Sequence, residues 1–391
     1  MASELTTDRL RALAETRSPE GKVLSAFINL DPHTFPTPAA RGTEVRAVLD
    51  DAARQIRDRS DLTPSERAAL HADIERVRAH LAGPGAADMT GGARGLAVFA
   101  SEPAGLFEVL PLGAPVAAEV RIADRPAVST IARLATAKPW WVVLVDRRHA
   151  RLLSGSPDGL AEHWRTEDEV AGRHDQGPSH ARDQGGTSYE RHQRSAEKDV
   201  ADHLRGVAAE VRRLLDDEPS AGLLVGGPAE VVRAFRAALP ADVERTVCAT
   251  VETEGWTSSP SQVLAAIAPE LARIQAERDA ALLAQLSDAL GTGKGAGGVG
   301  GVLEAVNAGR VGVIAIARGT RARGVRCPGC GWLGITASGS CPSCGTITES
   351  VDDVVEEGAA RALAQGADIH VLPADGGLLE QHEGLVAGLR F

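Results

Sequence analysis

The stretch "CPGCGWLGITASGSCPSCG", residues 327–345, contains two Cys-x-x-Cys pairs separated by ten residues. A glycine follows each pair and lets the chain turn tightly behind the sulfurs. Each pair offers two thiolates to one ion, and two pairs complete the closed tetrahedral shell of a structural zinc. We therefore predict a zinc ribbon over residues 325–347, with free buried cysteines or a redox dithiol as the alternatives. The predicted ligands are Cys327, Cys330, Cys341 and Cys344.

The ribbon interrupts a segment with the pattern of a small α/β domain, residues 273–391. A helix and a strand, "VLEAVNAGR" and "VGVIAIA", precede the ribbon, and a second helix and strand, "VVEEGAARALAQG" and "DIHVLP", follow it. The glycine-rich run "GTGKGAGGVGG" (291–301) contains a formal GxGxxG pattern, but it follows a helix instead of a strand. We interpret this run as a flexible connector.

A run of arginines, "RGTRARGVR" (318–326), lies directly before the first cysteine pair, and no acidic residue follows until Glu349. Such a one-sided run predicts a contact with RNA or with a partner, and the alternative is a solvated charged face. The candidate RNA-binding residues in it are Arg318, Arg321, Arg323 and Arg326.

The middle segment, residues 136–272, alternates strands and helices. Two apolar strands, 140–145 and 150–153, are joined by a short charged turn, and the buried strand "GLLVGGP" is followed by the helix "AEVVRAFRAAL". This alternation predicts a mostly parallel sheet. A polar stretch from about Asp158 to Arg194 separates the two parts, and loops of that length are typically functional or disordered.

The first segment, residues 1–135, has strands and amphipathic helices of an α/β or α+β domain and no catalytic cluster. The net charge of −11 argues against a uniformly basic nucleic-acid binder. Neither a secretion signal nor an apolar run of membrane-spanning length is visible, so we expect a cytoplasmic protein with no membrane contact. In a reducing compartment, clustered cysteines favour a metal over disulfides.

A loop in the middle segment, residues 172–196, has a glycine tip in a cationic surrounding. Gly185 and Gly186 can take backbone angles that are closed to other residues, so another backbone or a sugar-phosphate can approach closely. The helix that begins behind them adds a partial positive charge. The loop arginines, also candidate RNA contacts, are Arg173, Arg182, Arg191 and Arg194.

The order of these parts resembles the archaeo-eukaryotic class-1 release factor and Pelota superfamily, which includes peptidyl-tRNA hydrolases of ribosome quality control. Three features carry the resemblance over nearly the whole chain. The first is the loop "GGTSYERHQR" (185–194), which is similar to the GGQ loop of the family. The second is "VLEAVNAGRVGVIAIARG" with the closing "HEGLVAGLRF", which is similar to the family's L7Ae-like domain. The third is the inserted zinc ribbon, which also occurs in archaeal-type members. The resemblance implies a three-domain architecture and binding to rRNA and tRNA in the ribosomal A site.

The chain departs from the family at the position that carries the chemistry. In the family, the glutamine of GGQ helps to place a water that attacks the peptidyl-tRNA ester, whereas Thr187 stands there in this chain and Gln184 precedes the glycines. A threonine side chain is shorter and stiffer at χ1. The first segment also lacks an NIKS-like codon-reading motif, so codon-dependent termination is not expected. The candidate catalytic residues are Gln184, Gly185, Gly186 and Thr187.

These observations predict a monomeric ribosome-binding factor that acts in rescue, quality control or hibernation, with weak or absent peptidyl-tRNA hydrolysis. A translational GTPase is an expected partner for delivery, and DNA is not. Three other functions stay open on the sequence: an active peptidyl-tRNA hydrolase, a hydrolase that acts on free tRNA conjugates, and a non-ribosomal adaptor that binds a protein through its zinc ribbon. The cofactor is structural zinc in each case.

Overall fold

The computed structural model describes residues 5–18, 21–31, 34–82, 93–136, 140–156, 159–167, 187–217, 220–253, 256–336, 339–374 and 377–390. The chain forms two compact units: unit 1 contains residues 1–137 and 276–391, and unit 2 contains residues 138–275. Both units mix helices and sheets, so the predicted combination of α/β and α+β structure is confirmed. The boundaries of the three predicted domains stay a prediction. Within the described ranges, no helix is long and apolar enough to cross a membrane.

The N-terminal half of unit 1 is a four-stranded antiparallel sheet of order β3-β2-β1-β4, with helices α1 to α4. The strands are β1 (Val23–Asn29), β2 (Gly95–Ser101), β3 (Leu106–Leu112) and β4 (Glu119–Ala123). The helices are α1 (Thr7–Glu15), α2 (Pro38–Asp58), α3 (Pro64–Ala82) and α4 (Ser129–Thr136). Helix α3 begins with a capping box, because the Thr63 N–H donates to Glu66 Oε2 at 2.8 Å and the Glu66 N–H donates to Thr63 Oγ1 at 3.2 Å.

Unit 2 is a five-stranded mixed sheet of order β7-β6-β5-β8-β9. Its strands are β5 (Trp140–Val145), β6 (His149–Ser156), β7 (Gly159–Glu167), β8 (Leu223–Gly226) and β9 (Val247–Val251). Its helices are α5 (Thr187–Asp217), α6 (Ala229–Ala238), α7 (Ala241–Glu244) and the first half of α8 (Pro260–Gly291). Helices α5 and α6 share a core with one face of the sheet, and α8 covers the other face through Val263 and Ile267.

The prediction of a mostly parallel sheet is correct only for β5, β8 and β9. Strand β6 is antiparallel to both β5 and β7, and a turn over 146–148 reverses the chain between β5 and β6. Strand β7 also lies inside the stretch 158–194 that the sequence predicts to be a polar loop, and its exposed charged residues hide its strand pattern.

The C-terminal half of unit 1 has a sheet of order β10-β16-β11-β15 and the three-stranded ribbon sheet β13-β12-β14. Its strands are β10 (Gly295–Gly297), β11 (Val311–Ala317), β12 (Gly324–Arg326), β13 (Leu333–Gly334), β14 (Glu349–Val351), β15 (Asp368–Leu372) and β16 (Leu385–Leu389). Its helices are the end of α8, α9 (Gly298–Asn307), α10 (Val354–Ala364) and α11 (Leu378–Gln381).

The interpretation of 291–301 as a flexible connector is wrong, because this run forms strand β10 and the first turn of helix α9. Its glycines are needed for close approach. A Cβ atom on Gly297 would lie 2.4 Å from Nδ1 of His382, and Gly298 has a φ of +74°. The glycines here permit packing that a side chain would block.

The two halves of unit 1 share one hydrophobic core and a buried network of ion pairs. Phe27 and Phe99 of the N-terminal sheet lie in the same core as Val302 and Val354 of the C-terminal half. Around the start of α10, four carboxylates face five cations of the N-terminal half. The pairs are Lys22–Asp352, Arg59–Asp352, Arg121–Asp353, Arg121–Glu356, Arg125–Glu357 and Arg17–Glu357. Because these pairs join residues more than 200 positions apart, they are invisible in the sequence.

Candidate metal centre and the Gly-Gly segment

Both cysteine pairs lie in tight turns of the same construction, which we call the first knuckle (Cys327–Gly331) and the second knuckle (Cys341–Gly345). In each, the N–H of the closing glycine donates to the carbonyl of the first cysteine, at 2.9 Å in the first knuckle and 2.8 Å in the second. The closing glycines have φ values of +74° and +79°, which side-chain-bearing residues rarely adopt. The Cys-x-x-Cys-Gly pattern therefore follows from the turn geometry.

The four sulfurs converge on one point. All four lie within 4.8 Å of one another, with Cys327 Sγ 3.4 Å from Cys344 Sγ and Cys330 Sγ 3.6 Å from Cys341 Sγ. Four sulfurs placed about 2.3 Å from one zinc ion in a tetrahedron lie about 3.8 Å apart. The donor set, its spacing and its closed shell fit a structural zinc, and the ion would be held by the four residues that the sequence predicts.

The four thiols do not share one environment. Cys327 and Cys341 are buried, whereas Cys330 and Cys344 are exposed. Hydrogen bonds with Thr346 and with the neighbouring thiols lower the pKa of Cys344 to about 6. A backbone hydrogen bond from Trp332 lowers the pKa of Cys330, but desolvation and the neighbouring thiols raise it to about 11. Because metal binding needs thiolates, filling the site releases protons and its affinity falls as the pH falls.

The arginine run before the first knuckle divides into two kinds of side chain. Arg321 donates to Glu119 Oε1 at 3.0 Å and to the Val120 carbonyl at 3.2 Å, and Arg326 pairs with Glu349 at 3.4 Å. Arg318 and Arg323 are exposed. The acidic partner of Arg321 is 202 positions away in the chain. An RNA contact by these arginines stays a prediction, and Arg318 and Arg323 are the exposed side chains of the run for which the described residues show no ion pair.

The candidate catalytic segment lies largely outside the described residues. Arg173, Arg182, Gln184, Gly185 and Gly186 fall in 168–186, of which no structure is described. The described backbone resumes at Thr187, which is the first residue of helix α5. The last ten residues of the predicted loop 172–196 are therefore helical. Arg191 and Arg194 lie in the first turns of α5, and only their backbone is described.

The sequence of the middle segment matches the model of bacterial archaeo-eukaryotic release factor family 10 over residues 126–272. This segment of the chain is therefore similar to the bacterial archaeo-eukaryotic release factors. The matched residues cover unit 2 as far as residue 272, in the first half of α8. They include Gly185 and Gly186. No curated protein matches the chain.

Three solved structures illustrate how distant the structural similarity is. The archaeal translation termination factor aRF1 is 18% identical over 99% of both chains, with a TM-score of 0.27. Pelota from Archaeoglobus fulgidus is 13% identical over 76% of this chain and 79% of its own, with a TM-score of 0.38. A chain from the model of ribosome-bound archaeal Pelota and ABCE1 is 15% identical over 100% of this chain and 95% of its own, with a TM-score of 0.42. These superpositions are too loose to carry an argument about function.

Sequence reasoning found the four cysteines whose sulfurs converge, and it missed the residues that hold their backbone. Asn307 at the end of α9 and Arg361 in the last turn of α10 both hydrogen-bond to the backbone beside the first knuckle. Nothing in the sequence marks them, because asparagine and arginine near helix ends are common for other reasons.

Proposed function

We propose that this chain is a ribosome-binding factor of the release-factor type that occupies the A site in rescue, quality control or hibernation. Peptidyl-tRNA hydrolysis is weak or absent in this proposal. The observation that carries it is the family match over 126–272, because that segment includes the glycine tip at 185–186 and lacks the glutamine behind it.

The location of the tip supports the proposal. Gly185 and Gly186 directly precede α5, a helix of 31 residues whose later turns bury Leu204, Val207 and Val211 against the unit 2 sheet. A long helix that is anchored at one end is a suitable support for a probe that reaches into a narrow pocket. The partial positive charge of its N-terminus suits the phosphates of the tRNA end.

Position 187 has threonine where the GGQ loop has glutamine, and this supports occupation of the A site over hydrolysis of peptidyl-tRNA. Catalysis of ester attack depends on positioning the water and stabilising the developing charge. The Thr187 side chain is too short to hold a water where a glutamine amide does, and Gln184 lies on the other side of the glycines. We therefore expect peptide release close to background.

Two partner assignments belong to the same proposal. The exposed arginines Arg318 and Arg323 and the segment arginines 173, 182, 191 and 194 are the contacts expected with rRNA and tRNA. We also expect a translational GTPase to deliver the protein and the protein to act as a monomer. In addition, we expect the C-terminal half of unit 1 to be an L7Ae-like domain.

Cosedimentation with ribosomes over a salt series tests the proposal. Purified protein is layered with 70S particles and with 50S subunits, and the bound fraction is measured as salt increases. We expect binding that weakens steeply with salt, because arginines that neutralise phosphates release counterions. The Arg318→Gln/Arg323→Gln double variant should weaken binding and flatten the salt slope, and Arg54→Gln, an exposed arginine of α2, is the matched control. Failure to bind either particle at low salt would overturn the proposal.

A second candidate function rests on the ribbon surface. Two large apolar side chains are strongly exposed among the described residues, Ile335 at 51% and Ile347 at 76%, and both lie on the ribbon. Exposed apolar residues on a small rigid module favour a protein contact, so an adaptor that uses the ribbon as its interface is the alternative. Because this adaptor is non-ribosomal, a wild-type protein that binds neither 70S particles nor 50S subunits at low salt would favour it over the first proposal.

A further inference from the structure

The two knuckles of the metal centre differ in what holds them. The first knuckle and the residues directly after it are tied to helices outside the ribbon. Among the described residues, each hydrogen bond of the second knuckle (341–345) runs to another residue of the ribbon. The second knuckle is also slightly more exposed, since its closing glycine, Gly345, is at the surface whereas Gly331 of the first knuckle is half-buried.

Asn307 clamps the strand that follows the first knuckle. Its Nδ2 donates to the Leu333 carbonyl at 2.7 Å, and its Oδ1 accepts from the Leu333 N–H at 3.0 Å. One side chain thus satisfies both backbone groups of a residue, as a neighbouring strand would. Leu333 itself is buried in the core of unit 1, so the clamp has little freedom.

Arg361 holds the knuckle itself. A guanidinium nitrogen of Arg361 donates to the carbonyl of Gly331, the residue that closes the turn after Cys330. Between the two anchors, the Cys327 N–H donates to the Trp332 carbonyl at 2.8 Å. The backbone on both sides of Trp332 is therefore fixed from α9 and α10, and the positions of Cys327 and Cys330 follow from it.

We propose that Arg361 and Asn307 are positioning residues of the metal centre, which hold the first knuckle ready while the second knuckle closes on it with the ion. Two sulfurs that are already in place reduce the ordering cost of binding. The positive charge of Arg361 adds a second effect, because a zinc ion with four thiolates carries a net charge of about −2. Partners behind the ligands commonly change metal affinity by about 10- to 100-fold.

The competing explanation is that both residues only attach the ribbon to unit 1. Metal affinity and metal-free stability distinguish the two. A positioning role changes the affinity for the ion, whereas a purely structural anchor lowers the stability of the metal-free and the metal-bound protein by the same amount.

The test uses full-length protein that is stripped of metal under reducing conditions and titrated with Co²⁺. The thiolate charge-transfer absorption reports binding, and the visible d–d bands report tetrahedral geometry. We expect Arg361→Ala to weaken Co²⁺ binding about 10- to 100-fold and Arg361→Lys to recover part of the loss, because lysine keeps the charge and one donor. Asn307→Asp keeps the acceptor for Leu333 and loses the donor, and we expect about a 10-fold loss.

Arg310→Ala is the matched control, since Arg310 follows α9, is exposed, and its side chain has no hydrogen bond or ion pair within the described structure. We expect its Co²⁺ affinity to equal that of the wild type. Affinities of Arg361→Ala and Asn307→Asp within twofold of this control would overturn the proposal, as would an equal loss of melting temperature with and without metal. If Arg361→Ala does not fold, Arg361→Lys and Asn307→Asp decide the question by the same criterion.

Discussion

Arg121 is the cation on which the buried charge network of unit 1 depends most. Its side chain is 6% exposed and contacts three carboxylates: Glu119 at 2.9 Å, Glu356 at 3.4 Å and Asp353 at 3.7 Å. We predict the effect of Arg121→Met, which keeps most of the apolar stem and removes the charge. The change leaves Asp353 and Glu356, both nearly inaccessible to water, without their cation.

The expected loss is about 3–5 kcal/mol of unfolding free energy, the usual cost of removing one partner of a buried ion pair. For a unit of this size, 1 kcal/mol corresponds to a change of roughly 2–4 °C in melting temperature. The transition of unit 1 should therefore fall by about 10 °C. A single exposed pair gives the scale for comparison. Arg54, 57% exposed in its pair with Asp51, should change stability by less than about 1 kcal/mol when replaced by methionine.

The pH dependence gives the prediction a sign. Burial raises the pKa of Asp353 and of Glu356, and the attraction of Arg121 opposes that rise. Without Arg121, the folded protein holds protons on these groups at pH values where the unfolded chain has released them. Stability then falls as the pH increases, so the deficit of Arg121→Met should be larger at about pH 8 than at about pH 5.

Scanning calorimetry of wild type, Arg121→Met and Arg54→Met at both pH values measures these effects, and hydrogen exchange of β4 and α10 peptides localises them. Adding Glu356→Gln to Arg121→Met should recover part of the loss, because it removes a buried unpaired charge and keeps the acceptor for the Ser129 N–H. A loss no larger than that of Arg54→Met, or a deficit that shrinks as the pH rises, would refute the reasoning.

Three further predictions concern the metal, the glycine tip and the glycine-rich strand. Cys341→Ser should reduce bound zinc from about one ion per chain to none, measured by elemental analysis of the purified protein. Thr187→Gln should raise peptide release from P-site peptidyl-tRNA above the wild-type rate, and an unchanged rate would argue against Thr187 as the counterpart of the glutamine. Gly297→Ala should destabilise unit 1 by about 1–3 kcal/mol, because its Cβ would meet His382, whereas Gly301→Ala, with open space around the new methyl group, should be neutral or stabilising in the same thermal melt.

The strong local signals of the sequence were reliable guides to the structure. The capping box of α3 depends only on Thr63 and Glu66, which are three residues apart, so its pattern can be read from the sequence. The ligand spacing of the ribbon is equally local, since each knuckle spans five residues. Where a local pattern was ambiguous the prediction was wrong: the glycines at 295–298 suit a flexible connector and a close-packed strand equally well, and only the position of His382 distinguishes them.

The mixed direction of the unit 2 sheet illustrates a second limit. Alternation of strands and helices predicts parallel pairs, and β5, β8 and β9 obey it. The hairpin β6–β7 departs from this pattern, because its two strands are antiparallel. The sequence did not reveal β7, since this strand is exposed and has too few apolar residues to show a period of two.

The sequence by itself determined the four clustered cysteines, the capping box of α3 and the presence of two glycines before a long helix. Each of these depends on the order of residues within one turn, helix or strand. Only the tertiary structure decided that residues 1–137 and 276–391 form one unit, that Glu119 pairs with Arg321, and that Arg361 and Asn307 hold the first knuckle. These contacts join residues that are 26 to 340 positions apart. At such separations, the position of two residues in the sequence does not tell whether they meet in the folded protein.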